Sequence, residues 1–348
     1  MVRVITFGCR LNAFESEVIK EKLRHFSDDL IIVNTCAVTG EAERQCRQAI
    51  RKLKKENLKA KIVVTGCSAE VHADSFENMK EVDLVLGNKE KADIEKYLVF
   101  DNVLKKKVDG IMTDDNVDSY MITGFEGRQK AFVQVQQGCN HRCTYCIVPF
   151  ARGKNRSAEP QKVIEQIKIL VQKGLNKICL TGVDLCSYQY GLAFLTRSIL
   201  QNVPELEELS FGSLDPAAVD DDLIDLIGQN KKILPFFHLS IQSGDDTVLK
   251  KMARRHRRQD VIDLCAKIRK VRQDATFGAD FICGFPYEDD EAFLNTCRLV
   301  DEAGIDKLHI FPYSERAGTA AALMPQIDMH TRRLRAKILR DLRKDNND

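Results

Sequence analysis

The sequence predicts an α/β protein: an N-terminal doubly wound parallel-sheet domain followed by a partial (β/α)6 barrel. Three observations carry this. Short apolar runs alternate with helical stretches over residues 1–100, the alternation breaks over 101–125, and it resumes from Ala131. The expected domains are therefore 1–100, a linker at 101–125, a barrel core at 126–325 and a basic C-terminal helix at 326–348. A chain of 348 residues is long enough to bury two cores.

In the first part, Val2–Gly8, Leu30–Thr35, Lys61–Gly66 and Asp83–Asn88 read as strands. Ser16–His25, Gly40–Lys55 and Lys89–Leu98 carry helical spacing and charge between them. In the linker, Lys105-Lys106-Lys107, Asp114-Asp115 and Gly124 break any apolar period and leave room for one strand. Strands then fall at Ala131–Gln137, Lys177–Thr181, Glu208–Gly212, Phe236–Ile241, Thr276–Cys283 and Lys307–Pro312. The helix Pro160–Lys173 has Pro160 in its first turn, Gly174 just past its end, and Val163, Ile167, Leu170 and Val171 on one face. Six such units over about 190 residues fall short of a closed eightfold barrel, which takes about 250.

The net charge is only +2, so nucleic-acid binding would depend on local patches. There is no apolar run of membrane length and no basic-then-apolar leader, so a cytoplasmic protein without a membrane partner is expected. Twelve cysteines in such a chain argue for reduced thiols or metal ligands rather than a disulfide framework. The oligomeric state stays open.

Cys9, Cys36 and Cys67 each directly follow a strand. Open parallel sheets bind ligands at their carboxyl strand ends, so these three thiols should converge; the alternative is three small residues that suit strand ends. Cys139, Cys143 and Cys146 form a C-x-x-x-C-x-x-C run with no fourth cysteine nearby. Closed zinc and ordinary ferredoxin sites take four ligands. Three thiolates on a cubane leave one iron open to a small molecule. The alternatives are a zinc loop completed by His141 or a distant cysteine, or unrelated thiols.

Barrel chemistry sits at the carboxyl strand ends. Those positions include Gly182, where the backbone can approach a ligand, and Ser213 and Gln242, which offer hydrogen bonds, with Asp280 one strand period further in. These four are the cofactor-binding candidates. Cys46, Cys179, Cys186, Cys265, Cys283 and Cys297 read as packing residues. The seven histidines form no triad or metalloprotease pattern, so no general acid or base is assigned.

The three-cysteine run resembles the signature of radical S-adenosylmethionine (SAM) enzymes. The chain as a whole, roughly residues 2–325, resembles the radical-SAM methylthiotransferases. The likeness rests on Thr6-Phe7-Gly8-Cys9, Asn34-Thr35-Cys36-Ala37-Val38-Thr39 and Val64-Thr65-Gly66-Cys67. It continues through Gln137-Gly138-Cys139 to Pro149, Arg152-Gly153, Arg156-Ser157, His238–Asp245 and Gly278–Pro286. Leu180-Thr181-Gly182-Val183-Asp184-Leu185-Cys186-Ser187-Tyr188 is most similar to the subgroup acting on N6-threonylcarbamoyladenosine beside the tRNA anticodon.

The resemblance implies two 4Fe–4S clusters and SAM. Cys139, Cys143 and Cys146 would hold the cluster that reduces SAM to a 5′-deoxyadenosyl radical, which takes the hydrogen from adenosine C2. Cys9, Cys36 and Cys67 would hold an auxiliary cluster that delivers sulfur, a second SAM supplying the methyl group. The implied partners are tRNA and an electron donor of flavodoxin-like type. The alternative substrates are another tRNA adenosine or a ribosomal-protein side chain; a non-catalytic iron–sulfur RNA-binding relative is the third reading. The basic run Lys250–Arg258 would contact tRNA phosphates or the SAM carboxylate, or else form a solvated helix end.

Some features depart from the family pattern. A small C-terminal β-barrel RNA-binding domain is expected to be absent, the chain closing on the helix His330–Asp348 with Leu334, Ile338 and Leu342 on one face. Ala317 and Ala320 stand where proline is common, Gly212 where serine is usual, and Tyr287 where glycine is usual.

Overall fold

The computed structural model describes residues 2–26, 29–98, 105–114 and 121–342. The chain forms two compact units, one comprising Met1–His141 with Ile147–Val183 and the other Arg142–Cys146 with Asp184–Asp348. The expected linker at 101–104 and 115–120, and the end of the expected terminal helix at 343–348, lie outside the described residues.

The first unit opens with a five-stranded parallel sheet: β1 (Val2–Thr6), β2 (Leu30–Thr35), β3 (Lys61–Gly66), β4 (Leu84–Leu86) and β5 (Lys106–Lys107). Its strand order is the chain order. The intervening helices are α1 (Arg10–Lys22), α2 (Gly40–Glu56), α3 (Cys67–Val71), α4 (Ala73–Glu77) and α5 (Ile94–Leu98). Ile31, Val33, Ile62, Val64 and Val85 pack with Ile50 and Leu53 of α2 and Phe76 of α4. On the opposite face Leu30, Ile32, Val63, Leu84 and Leu86 pack with Ile19 of α1, Leu23 and Tyr97 of α5. Burial on both faces is why these strands are continuous apolar runs rather than alternating ones.

Two expectations shift here. The helix expected from Ser16 starts at Arg10, with the extended Cys9 as its N-cap. Its inward face mixes Asn12, Glu15 and Ser16 with Leu11, Phe14 and Val18, which blurs the apolar period. Among the described residues of the expected linker, β5 is a strand, and it is the fifth strand of this sheet, paired with β4.

The same unit continues through β6 (Lys130–Gln134), β7 (Gln136–Gln137), α6 (Val148–Arg152), β8 (Arg156–Ser157), α7 (Pro160–Gln172) and β9 (Lys177–Thr181). β6 pairs parallel with β9, and β7 antiparallel with β8. Val163, Ile164, Ile167 and Leu170 of α7 are buried, whereas Val171 is only half-buried.

The second unit contains α8 (Leu192–Asn202), β10 (Glu208–Phe211), β11 (Ser213–Leu214), α9 (Asp221–Gln229), β12 (Phe236–Gln242), α10 (Asp246–Lys251), α11 (Arg258–Val271), β13 (Thr276–Cys283), α12 (Asp290–Glu302), β14 (Lys307–Pro312) and α13 (Met329–Asp341). β11 to β14 form a parallel sheet. Four of its helices start on an aspartate, Asp220, Asp245, Asp289 and Asp328, whose carboxylate accepts a first-turn N–H. In β12 and β13, Phe237, Leu239, Ile241, Phe277, Ala279 and Phe281 are fully buried on one face. His238, Ser240, Gln242 and Asp280 occupy the other face.

The terminal helix differs from expectation. Leu334 and Ile338 are exposed, while Arg332 and Arg335 are buried. Arg332 donates to Tyr313 O at 3.1 Å and Glu315 at 2.9 Å, and Arg335 donates to Glu288 O at 2.7 Å and Asp290 at 2.7 Å. Satisfied heads and apolar stems let these arginines pack inward. No helix among the described residues is long and apolar enough to cross a membrane.

Candidate cluster and cofactor sites

Cys36 and Cys67 directly follow β2 and β3, Cys9 follows the end of β1 by three residues, and the structure brings the three together. Gly8, at φ +97°, lies so close to Cys36 that a Cβ there would sit 2.8 Å from the Cys36 Cβ and 2.9 Å from its Sγ. Cys36 and Cys67 are buried and Cys9 is exposed. Burial pushes the Cys36 thiol up to about 12, and the neighbouring Cys67 and Cys9 sulfurs push the same way. A cation bound beside Cys36 would offset this cost of ionising it. The donor set is all sulfur, which suits an iron–sulfur cluster and not a carboxylate-preferring metal.

Asn12 holds the strand ends in place, its Nδ2 donating to Phe7 O at 2.7 Å and Thr35 O at 3.0 Å. Arg152, only 1% exposed, comes from α6 and donates its Nε–H to Cys67 Sγ at 3.1 Å. Its other nitrogens bind the Glu15 carboxylate and Asn12 Oδ1. Lys91 closes the network on Glu15 at 2.5 Å. Burial alone would raise the Glu15 carboxyl, but Arg152 and Lys91 outweigh it and hold it below its ordinary value. Sequence reading missed Asn12, Glu15 and Lys91. The available signal was the helical spacing of Asn12 and Glu15 immediately after Cys9.

The loop of the second cysteine set starts in the first unit at Gly138, φ +73°, where a Cβ would lie 1.8 Å from Lys154 O. Cys139 donates its backbone N–H to Gly153 O at 3.0 Å, and His141 N–H points at Cys139 Sγ at 3.4 Å. Gln136, also missed, donates to Gly138 O at 2.6 Å and Asn155 Oδ1 at 2.7 Å. Gly182 packs on the same Gln136, whose Oε1 would be 2.8 Å from a Cβ there.

Cys143 and Cys146 belong to the second unit and are joined by a turn, Cys146 N–H donating to Cys143 O at 2.9 Å. Thr144 is anchored three times: its N–H to Met252 O at 3.0 Å, its hydroxyl to Lys251 O at 2.8 Å, and its carbonyl to Ala321 N–H at 2.8 Å. Tyr145 packs edge-on against Phe285 at 6.3 Å, and Phe285 against Tyr313 at 5.4 Å. Arg254 Nη1 reaches Cys143 Sγ at 3.7 Å, while its Nη2 donates to Ser240 O at 2.7 Å. Much of the basic run is thus engaged internally. Arg254 and Arg255 pair with Asp215 at 3.3 and 2.8 Å, Arg258 with Glu302 at 2.7 Å, and His256 Nε2 lies 3.1 Å from Ile241 O.

The cofactor candidates of the second unit differ in state. Ser213 Oγ is buried with no hydrogen-bond partner among the described residues. Gln242 ends β12 at φ +77°, beside a register shift; a non-glycine residue there marks local strain. Asp280 Oδ1 lies 3.1 Å from His238 Nε2 and 3.5 Å from His309 Nδ1. The orphaned Ser213 hydroxyl and the strained Gln242 suit a ligand at these strand ends. The remaining cysteines sit as packing residues: Cys46, Cys179, Cys265 and Cys283 are buried, and burial raises Cys186 and Cys265 to about 12.

Comparison with known proteins gives these sites a family. Residues 133–300 match the model of the Radical SAM superfamily and residues 1–87 that of Uncharacterized protein family UPF0004. The threonylcarbamoyladenosine tRNA methylthiotransferase MtaB of Rickettsia prowazekii (strain Madrid E) is 47% identical over 97% of this chain and 81% of its own. The namesake from Aquifex aeolicus (strain VF5) is 36% identical over 97% of this chain and 86% of its own. A tRNA-2-methylthio-N(6)-dimethylallyladenosine synthase of Ehrlichia canis (strain Jake) is 30% identical over 92% of this chain and 78% of its own. Among solved structures, the radical S-adenosylmethionine methyltransferase TsrM of Kitasatospora setae aligns with a TM-score of 0.66 at 13% identity, over 92% of this chain and 75% of its own. That likeness shows an α/β fold of the same kind. The chain belongs to the radical-SAM tRNA methylthiotransferase family, whose members carry two 4Fe–4S clusters and use SAM.

Proposed function

We propose that this chain replaces the C2 hydrogen of N6-threonylcarbamoyladenosine, beside the anticodon of tRNA, with a methylthio group. The observation that carries this reading is the presence of both three-cysteine sets in a chain 47% identical, almost end to end, to a relative named for that nucleoside. When bound, the clusters and SAM supply the radical, the sulfur and the methyl group. The protein's part is to hold and orient them.

Cys9, Cys36 and Cys67 hold the auxiliary cluster in this reading, and Cys139, Cys143 and Cys146 the cluster with an open iron. Ser213, which follows β10 and opens β11, Gln242 at the end of β12 and Asp280 in the carboxyl half of β13 face SAM in this reading, and Gly182 keeps the Gln136 anchor of the cysteine loop in place. Residues 1–100 form the auxiliary-cluster domain, 101–125 the linker, 126–325 the radical-SAM core and 326–348 a basic tail. The enzyme works in the cytoplasm with a flavodoxin-like electron donor.

The test is anaerobic reconstitution with iron counting, then reduction with SAM and tRNA that is unmodified, threonylcarbamoylated or dimethylallylated. Mass spectrometry of digested nucleosides gives the answer. A methylthio product from the threonylcarbamoylated tRNA alone supports the reading. A product only from dimethylallylated tRNA would transfer the chain to the other named group of relatives.

A further inference from the structure

Arg152 lies six residues after Cys146 in sequence, yet its guanidinium is spent on the other cysteine set. All five of its N–H donors belong to a buried fork, and one of them, Nε–H, points at Cys67 Sγ from 3.1 Å. Nη1 and Nη2 grip Glu15, one contact at 3.0 Å, and Nη2 also reaches Asn12 Oδ1. Glu15 is shared with Lys91, which in turn donates to Asn88 Oδ1 at 2.7 Å. Asn88 donates its own Nδ2 to Ala151 O at 2.6 Å, tying the network back to the helix that carries Arg152. α6 is seated here by Ile147 and Ala151, which pack with Ala37 and Cys67 in one small apolar cluster.

An ion pair needed only for folding would be complete with Arg152, Glu15 and Lys91. Here the arginine has a third partner, a sulfur, and the two cations exceed the one carboxylate by one positive charge. Hydrogen bonds and positive charge at a cluster's sulfurs stabilise its reduced, more negative state and so raise its reduction potential.

We propose that Arg152 is a positioning residue for the auxiliary cluster, which sets that cluster's reduction potential through its hydrogen bond to Cys67, with Glu15 as the opposing charge. This rests on the reading that Cys9, Cys36 and Cys67 hold a cluster.

The test uses the full chain in a background of Cys139→Ala, Cys143→Ala and Cys146→Ala, so that only the auxiliary cluster contributes to the spectrum. Iron is counted after anaerobic reconstitution, and the midpoint is read by potentiometric titration followed by electron paramagnetic resonance. With iron retained, Arg152→Gln should make the midpoint more negative, by about tenfold in the reduction equilibrium, which for one electron is 59 mV. Arg152→Lys, which keeps the charge but not the fork, should move it less. Glu15→Gln should move it in the opposite, positive direction. A purely structural pair predicts no such opposition, so shifts of the same sign, or none, overturn the proposal. If Arg152→Gln fails to fold, Arg152→Lys and Glu15→Gln still have to diverge for the proposal to stand. Absence of iron from the background protein would instead sink the cluster reading beneath it.

Discussion

Asp280 on β13 shares one carboxylate oxygen, Oδ1, between His238 Nε2 at 3.1 Å and His309 Nδ1 at 3.5 Å. Neighbouring strands supply the histidines: Asp280 lies directly opposite His309 in register, and His238 opposite Gly278 two residues back. Burial would raise this carboxyl, but the two imidazoles outweigh it and hold it down at about 2. Asp280 is therefore ionised throughout the working range, with its ring partners fixed in place. Asp280→Asn should weaken SAM binding about tenfold, equivalent to about 1.4 kcal/mol, while the fold survives. Anaerobic calorimetry on the reconstituted protein measures this, and an unchanged dissociation constant would remove Asp280 from the SAM site.

Tyr287 occupies a position with φ +70°, in the left-handed region where a side chain costs about 1–2 kcal/mol. Its ring lies 4.6 Å from the Lys251 ammonium, an attraction worth about 0.5–1 kcal/mol at an exposed site. The contact offsets part of the strain, which accounts for a tyrosine being tolerated where the family pattern has glycine. Tyr287→Ala keeps the strain and loses the ring; Tyr287→Gly loses both. The glycine variant should therefore be the more stable of the two by about 1 kcal/mol in urea unfolding. The reverse order would contradict the left-handed backbone.

Asp215 is the anion shared by Arg255 and by Arg254, which in turn reaches Cys143 Sγ. Burial opposes its charge, but His256, Arg254 and Arg255 overcome it and keep it well below the carboxylate range. Asp215→Asn leaves Arg254 buried without its anion, a loss of about 3 kcal/mol by the usual cost of breaking a buried pair. A loss of unfolding free energy in urea of less than a third of that would mean Ser240 O and Cys143 alone suffice for Arg254.

Glu288 behaves in the opposite sense. Burial raises its carboxyl to about 7 in spite of the Gly284 N–H and Arg335 beside it. Its folded value thus exceeds the ordinary value of 4.5. The stability it contributes is complete below that ordinary value and is lost as pH rises through about 7. Glu288→Gln does not titrate, so the wild-type-minus-variant difference in unfolding free energy should decline from about pH 4.5 to about pH 7 and level off above it. A flat difference would contradict the raised value.

Strand boundaries were the most legible part of this chain. β2, β3, β9, β13 and β14 span the residues that the sequence marks out, and in β2 and β3 two-sided burial keeps Leu30–Val33 and Ile62–Val64 uninterrupted. The grouping of Cys9, Cys36 and Cys67 was legible for the related reason that strand ends of a parallel sheet share an edge. Helices with polar inner faces were not legible. Asn12, Glu15 and Ser16 in α1, and Arg332 and Arg335 in α13, look like solvent-facing residues until their partners across the fold are known. Arg152 is the extreme case, because its partners Asn12, Glu15 and Cys67 lie far back in the sequence.

Because β1 to β5 lie side by side in the order in which they are made, each new strand can dock on an edge already present. Synthesis proceeds at about 5–20 residues per second and domains form from the N-terminus, so the sheet can grow in step with the ribosome. The third sulfur, Cys67, arrives as soon as β3 has joined β2, long before the barrel sequence exists. Arg152 is made later, so its hydrogen bond to Cys67 and its pairing with Glu15 can form only after all three sulfurs have been made.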